Sequence, residues 1–98
     1  MSSGWFIGQF EPSLHKTDQF EIAVKRYKAG NSEPAHFHKI ATEYTLIVQG
    51  KVKINDTYYE TNDIITIEPG EIAAFSAIED TITTVVKIPS VLGDKYAA

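Results

Sequence analysis

Three side chains in one short segment, His36, His38 and Glu43, have the types and the spacing of metal ligands. If residues 34–38 are extended, His36 and His38 project from the same face, because successive side chains on a strand alternate. Glu43 opens the most apolar run of the chain, residues 44–48, where a carboxylate is costly to bury without a cation. Two imidazoles and a carboxylate leave coordination positions open for water or substrate. The segment therefore predicts a site for one divalent transition metal (Fe, Mn, Ni or Zn), although a His-x-His pair near a glutamate also arises by chance.

Most of the chain alternates with a period of two, as strands with one buried face do. β-Branched and aromatic residues dominate these segments, and short turn signals containing Gly, Asn, Asp and Pro separate them. The clearest alternating segments are residues 20–25, 51–54 and 81–88, and Asn55-Asp56 is a hairpin signal. The pattern predicts an all-β sandwich or barrel in a single domain, residues 1–98. Residues 89–98 depart from alternation and are expected to cover an end or an edge of the barrel.

Composition excludes several classes of protein. The 98 residues suit one modest domain, and 9 basic against 13 acidic residues give a net charge of −4, without the basic stripe of a nucleic-acid binder. The absence of cysteine excludes disulfides, a thiolate zinc site and a cysteine nucleophile. No signal peptide is recognisable, and no apolar run approaches the roughly 20 residues that span a bilayer. We therefore expect a cytoplasmic protein that binds neither nucleic acid nor membrane.

Two glycines extend the ligand segment into a longer motif. Gly30 stands six positions before His36, and Gly50 stands seven after Glu43. This run resembles the first signature motif of the cupin family position for position. A weaker second motif resembles residues 62–75, with a Pro-Gly turn at 69–70 and a trailing Phe75. The resemblance covers roughly residues 20–88 and implies a double-stranded β-helix, a small jelly-roll barrel.

The resemblance also implies that His36, His38 and Glu43 are three of four metal ligands. The fourth would be a histidine three residues after Gly70, where this chain has Ala73. Three outcomes follow: a metal held by three protein ligands, a substitute ligand, or a barrel that has lost its metal and binds a small molecule. We favour the first. The candidate substitutes are His15, Glu71 and Glu79.

The reaction and the catalytic base stay unassigned. The first hypothesis is a metal-dependent enzyme acting on a small polar or anionic molecule, by oxygen chemistry or by Lewis-acid isomerase or lyase chemistry. The second is a binding module for a sugar or a carboxylate, and the third is an accessory domain with a filled interior.

Lys39 could neutralise an anionic ligand, although a solvated lysine is the preferred interpretation. Four tyrosines are available as bases, although packing is their commoner role: Tyr27, Tyr44, Tyr58 and Tyr59. Apolar residues on both faces of 44–48 predict a homodimer formed by sheet packing.

Overall fold

The protein is described here by a computed structural model that covers residues 4–98. These residues form eleven strands. They are β1 (Trp5–Gly8), β2 (His15–Lys16), β3 (Glu21–Tyr27), β4 (Ser32–Phe37), β5 (Thr42–Gln49), β6 (Lys51–Ile54), β7 (Thr57–Glu60), β8 (Ile64–Ile67), β9 (Ala73–Ala77), β10 (Thr81–Ile88) and β11 (Tyr96–Ala97). Within residues 4–98 there is no helix of the length and hydrophobicity needed to cross a membrane.

The strands pair into two sheets that the chain enters alternately. One sheet has the order β2-β1-β3-β10-β5-β8 and the other β11-β4-β9-β6-β7. From β3 onward the chain passes from one sheet to the other at nearly every connection, as in a double-stranded β-helix. The predicted all-β jelly-roll barrel is confirmed.

Local sequence signals account for several elements. The alternating segments form β3, β6 and β10, and the Asn55-Asp56 turn joins β6 to β7 with Asn55 at a φ of 54°. The tail was expected to cover an end or an edge. It does so through β11, which pairs with β4 at the edge of the five-stranded sheet.

The interior has an apolar part and a polar part. Apolar side chains from both sheets form the core cluster: Ile47, Val52, Ile54, Ile65, Ala73, Phe75 and Ala77. On β10 the buried set is Thr81, Thr83 and Val85, while the alternate set, which includes Ile82 and Val86, is only half-buried. The polar and charged inward side chains of β3, β5 and β10 leave the cavity described next.

Candidate functional site

A bulge in β4 brings Glu33 and His36 to the same side of the sheet. Glu33 pairs with Phe75 and His36 with Ala73, so three steps along β4 match two steps along β9. Without the extra residue, an odd separation would send the two side chains to opposite faces. Both Glu33 and His36 consequently line the barrel cavity. Phe37, the next residue, instead stacks on Tyr96 of β11, with 5.5 Å between ring centroids.

His38 directly follows β4, and Glu43 is the second residue of β5, so a short loop separates them in the chain. His38 is 4% exposed, and its Nδ1 is hydrogen-bonded to the backbone carbonyl of Asp94. Because a carbonyl only accepts, Nδ1 carries the proton and Nε2 of a neutral ring has a free lone pair. That Nε2 lies 3.5 Å from Glu43 Oε1 and has no hydrogen-bond partner within the described chain. A buried, unpartnered nitrogen therefore faces a carboxylate.

The third predicted ligand, His36, lies close to this pair, but the three side chains are not arranged around one point. Its ring centroid lies 5.4 Å from that of His38, with the planes at 78°. Its Nδ1 lies 3.1 Å from the carbonyl oxygen of Pro34 in its own strand. Accordingly, residues 4–98 contain no group of three or more His, Asp or Glu side chains already arranged around one point for a metal. The fold brings the three residues together, and a common ligand would require their side chains to rearrange.

Charges around Glu43 determine its ionisation. Burial acts to raise its pKa, but His38 in its protonated form, Lys87 and the hydroxyl of Thr45 hold the pKa below its usual range; when Nε2 of His38 is unprotonated, only Lys87 and Thr45 act in this direction. Lys87 is distant in sequence, yet β10 places it directly opposite Glu43 in the sheet register. Position along the chain gave no indication of this lysine, and the fold supplies it as a cationic neighbour of Glu43.

The cavity extends from this cluster into the barrel and has a volume of about 90 Å³. Besides His36 and Glu43, its wall carries charged and hydroxyl groups that sequence reasoning did not assign to a site: Lys25, Glu33, Thr45, Thr83, Lys87 and Lys95. Its apolar wall includes Trp5, Ile54, Ile67, Phe75 and Val85. An accessory domain with a filled interior predicts no such space.

The C-terminal tail holds the loop that carries His38. Asp94 is 6% exposed, and its carboxylate accepts hydrogen bonds from the backbone N–H groups of Lys39, Ile40 and Ala41 at 2.8, 3.1 and 2.9 Å. Its backbone carbonyl accepts the His38 Nδ1 bond described above. One residue of the tail therefore fixes both the loop backbone and the orientation of the imidazole.

Solved structures identify the architecture. The chain is 20% identical to a double-stranded β-helix protein from Klebsiella pneumoniae subsp. pneumoniae MGH 78578, with a TM-score of 0.77 over 84% of this chain and 72% of that one. An RmlC-like cupin from Desulfovibrio desulfuricans is 19% identical, with a TM-score of 0.69 over 80% and 79%. The chain has the cupin fold. The DMSP lyase DddQ from Ruegeria pomeroyi DSS-3 shares this cupin architecture at 18% identity and a TM-score of 0.73, over 94% of this chain and 48% of the lyase. No protein-family model and no curated protein matches the chain.

In this cupin barrel, Ala73 lies directly opposite His36 in the register of β9 and β4. Its methyl group is on the cavity wall, where the resemblance placed a fourth histidine. The candidate substitutes lie elsewhere in the described chain: His15 is exposed on β2, and Glu71 and Glu79 are exposed in turns. None of the three lines the cavity.

Of the other residues considered for chemistry, the four tyrosines and Lys39, only Tyr27 lines the cavity. Tyr27 lines the cavity and donates a hydrogen bond to Glu33 at 2.8 Å; burial and this carboxylate raise its pKa, so it stays protonated. Tyr44 and Tyr58 are 40% and 56% exposed and lie outside the cavity. Tyr59 packs against the core cluster. The ammonium of Lys39 lies 4.2 Å from the centroid of the Tyr96 ring, away from the cavity wall.

Proposed function

We propose that this chain is a cytoplasmic, metal-dependent cupin that acts on a small polar or anionic molecule. One divalent transition metal (Fe, Mn, Ni or Zn) would be held by His36, His38 and Glu43. The proposal depends on a single observation, the buried and unpartnered Nε2 of His38 that faces the Glu43 carboxylate.

The chemistry of the donor set fits a cation between these two groups. Two lone pairs that face each other in a buried space repel, and burying such groups without a partner is unfavourable. The Nε2 to Oε1 distance of 3.5 Å exceeds the roughly 2.7–2.9 Å of a charge-assisted hydrogen bond. Ligands that each lie about 2.1 Å from one metal are separated by roughly 3.0–3.4 Å, which is close to the observed spacing.

The surrounding residues would prepare this site for chemistry. A divalent metal there would act as a Lewis acid toward a bound substrate oxygen. The carbonyl of Asp94 fixes the imidazole of His38, and the Thr45 hydroxyl donates to Glu43 Oε2 at 3.1 Å. Tyr27, kept protonated, orients Glu33 on the same wall. The DMSP lyase with this fold supports the idea that such a barrel can house an enzyme site.

Elemental analysis of the purified protein tests the proposal. We expect about one transition metal per chain, lost in the His36→Ala/His38→Ala double variant and strongly reduced in Glu43→Gln. The matched control is His15→Ala, because His15 is an exposed histidine on β2 and should leave the metal content unchanged. A wild-type protein that takes up none of Fe, Mn, Ni or Zn would overturn the proposal.

A second candidate function is a barrel that binds a small ligand, such as a sugar or a carboxylate, without turnover. Two observations favour it: Ala73 offers only a methyl group opposite His36, and Lys87 gives Glu43 a cationic neighbour without any metal. Ligand affinity that is unchanged after treatment with a chelator would select this candidate over the first.

A further inference from the structure

The charge of the cavity is opposite in sign to that of the whole chain. The chain has a net charge of −4. The cavity wall, in contrast, carries three lysines, Lys25, Lys87 and Lys95, against two glutamates, Glu33 and Glu43. With neutral histidines the wall is therefore net positive. It attracts anions, whereas the rest of the chain, which is net negative, repels them.

Lys25 is paired with Glu33, with 3.6 Å between Nζ and Oε1, whereas Lys87 has only the more distant carboxylates of Glu21 and Glu43, its neighbours in the sheet register. Of these two lysines, Lys87 is the one without a close ion pair. It is half-buried, and no carboxylate of residues 4–98 lies within 4.0 Å of its ammonium. Burial lowers its pKa, and although Glu21 and Glu43 oppose this effect, the nearby Lys25 and Lys95 add to it. Like charges gathered in a partly buried space are unfavourable unless an anion joins them. The arrangement thus costs stability that a bound anion would recover.

A second, independent observation points to the same ligand. Thr83 is 1% exposed and lines the cavity, yet its Oγ1 makes no hydrogen bond within the described part of the chain. Buried hydroxyl groups are nearly always paired. Thr83 lies opposite Lys25 in the register of β10 and β3, and both residues line the cavity. A ligand oxygen would satisfy it.

The remainder of the cavity limits the size and the composition of the ligand. Lys25 and Lys87 both lie against the ring of Trp5, with their ammonium groups at 5.2 and 4.9 Å from its centroid, so contact with this ring helps to position both. Next to them, Ile67 and Val85 offer an apolar wall for a carbon skeleton. A volume of about 90 Å³ admits only a small molecule.

We infer that the cavity binds a small organic carboxylate through Lys25, Lys87 and Lys95, with Thr83 donating a hydrogen bond to it. As a statement about the substrate class, the inference rests on the proposed function. The binding itself can be measured without a metal. An organic carboxylate is favoured over inorganic phosphate because Ile67 and Val85 on the wall can contact a carbon skeleton.

Isothermal titration calorimetry at low ionic strength tests the inference with acetate, malonate and succinate as probes. Inorganic phosphate and glycerol serve as comparisons, and each protein is titrated after chelator treatment and again after metal loading. We expect carboxylate binding in both states, weakened about tenfold or more in Lys87→Met and several-fold in Thr83→Val. The matched controls are Lys28→Met in an exposed turn and Thr84→Val on the other face of β10, and both should bind like the wild type.

The outcomes separate this inference from the proposed metal site. Carboxylate binding that depends on Lys87 in a protein without metal uptake supports the inference and defeats the metal proposal. Binding that requires metal and is indifferent to Lys87→Met and Thr83→Val overturns the inference and keeps the metal. Binding of phosphate in preference to every carboxylate, or of glycerol alone, also overturns it. Circular dichroism and thermal melting confirm that each variant is folded before its affinity is compared.

Discussion

A single methyl group limits the number of ligands available to a metal in this barrel. Ala73 is 6% exposed and lies on the cavity wall opposite His36. We predict that Ala73→His adds an imidazole to the site and raises metal affinity at least about tenfold, measured by competition with a chromogenic chelator. Ala74→His, the next residue on the same strand, should point away and leave the affinity unchanged. An equal gain in both variants would contradict the prediction.

The residues of the candidate site differ in how far the sequence could predict them. The approach of His36, His38 and Glu43 was expected because all three lie in one short motif. Lys87 and Thr83 could not be predicted, because they reach the cavity only through the register of β10 against its neighbours. Pairing between strands distant in sequence depends on the whole barrel, and local alternation does not encode it.

At the scale of elements, the tail and the loop after β4 act as one unit through Asp94. We predict that Asp94→Ala lowers the free energy of unfolding by about 2–4 kcal/mol, because three buried or half-buried N–H groups lose a charged acceptor. Chemical denaturation measures this change. Asp80→Ala is the matched control, since the Asp80 carboxylate accepts one N–H bond, from Ala29, in an exposed turn. Similar losses in the two variants would contradict the prediction, because the three hydrogen bonds to the Asp94 carboxylate would then contribute no more than the single bond to Asp80.

The turn between β5 and β6 requires a glycine for two physical reasons. Gly50 has a φ of +114°, and a Cβ atom there would lie 2.4 Å from Thr81 Oγ1 and 2.6 Å from the Asp80 carbonyl. We predict that Gly50→Ala destabilises the protein by on the order of 2 kcal/mol or more. Thermal melting checks this, with Gly70→Ala as a comparison: Gly70 also has a positive φ, of +86°, but a Cβ atom there would meet open space. The smaller loss should occur at Gly70.

For the whole molecule, alternation predicted strands correctly but did not determine which face of each strand is buried. In β10, hydrophobicity alone favours burial of Ile82 and Val86, yet Thr83 and Val85 are the buried residues. The reason is that the inner face of this sheet lines the polar cavity with residues such as Thr83 and Lys87 as well as packing Ile47 and Ile65 in the core, while further apolar side chains lie on its outer surface. On β10, the usual expectation that apolar side chains face inward and polar side chains face outward is therefore reversed in part.

This outer face leads to our prediction of a homodimer. Tyr44 and Ile64 are 40% and 67% exposed on this face. Tyr44 pairs with Val86 of β10, which pairs with Ile22, and Ile64 pairs with Leu46 in a second row that crosses β10 at Thr84 and ends at Val24. Contiguous exposed apolar surface on a sheet favours association, and a second copy of the same face provides a self-complementary partner. Light scattering after size exclusion should give a mass near twice the 10.9 kDa of the chain.

Substitutions on the two sheets locate the predicted interface. Tyr44→Lys should shift the protein to the monomer, because it would bury an unpaired ammonium group between two sheets, a loss of several kcal/mol for each buried charge. Tyr58→Lys is the matched control: Tyr58 is 56% exposed on β7 of the other sheet, so this variant should remain dimeric. Dimerisation that is lost in Tyr58→Lys and kept in Tyr44→Lys would place the interface on the five-stranded sheet instead. Because Glu43 precedes Tyr44 on β5 and faces the cavity, loss of the dimer could also loosen the candidate site, which metal content measured on the monomeric variant would reveal.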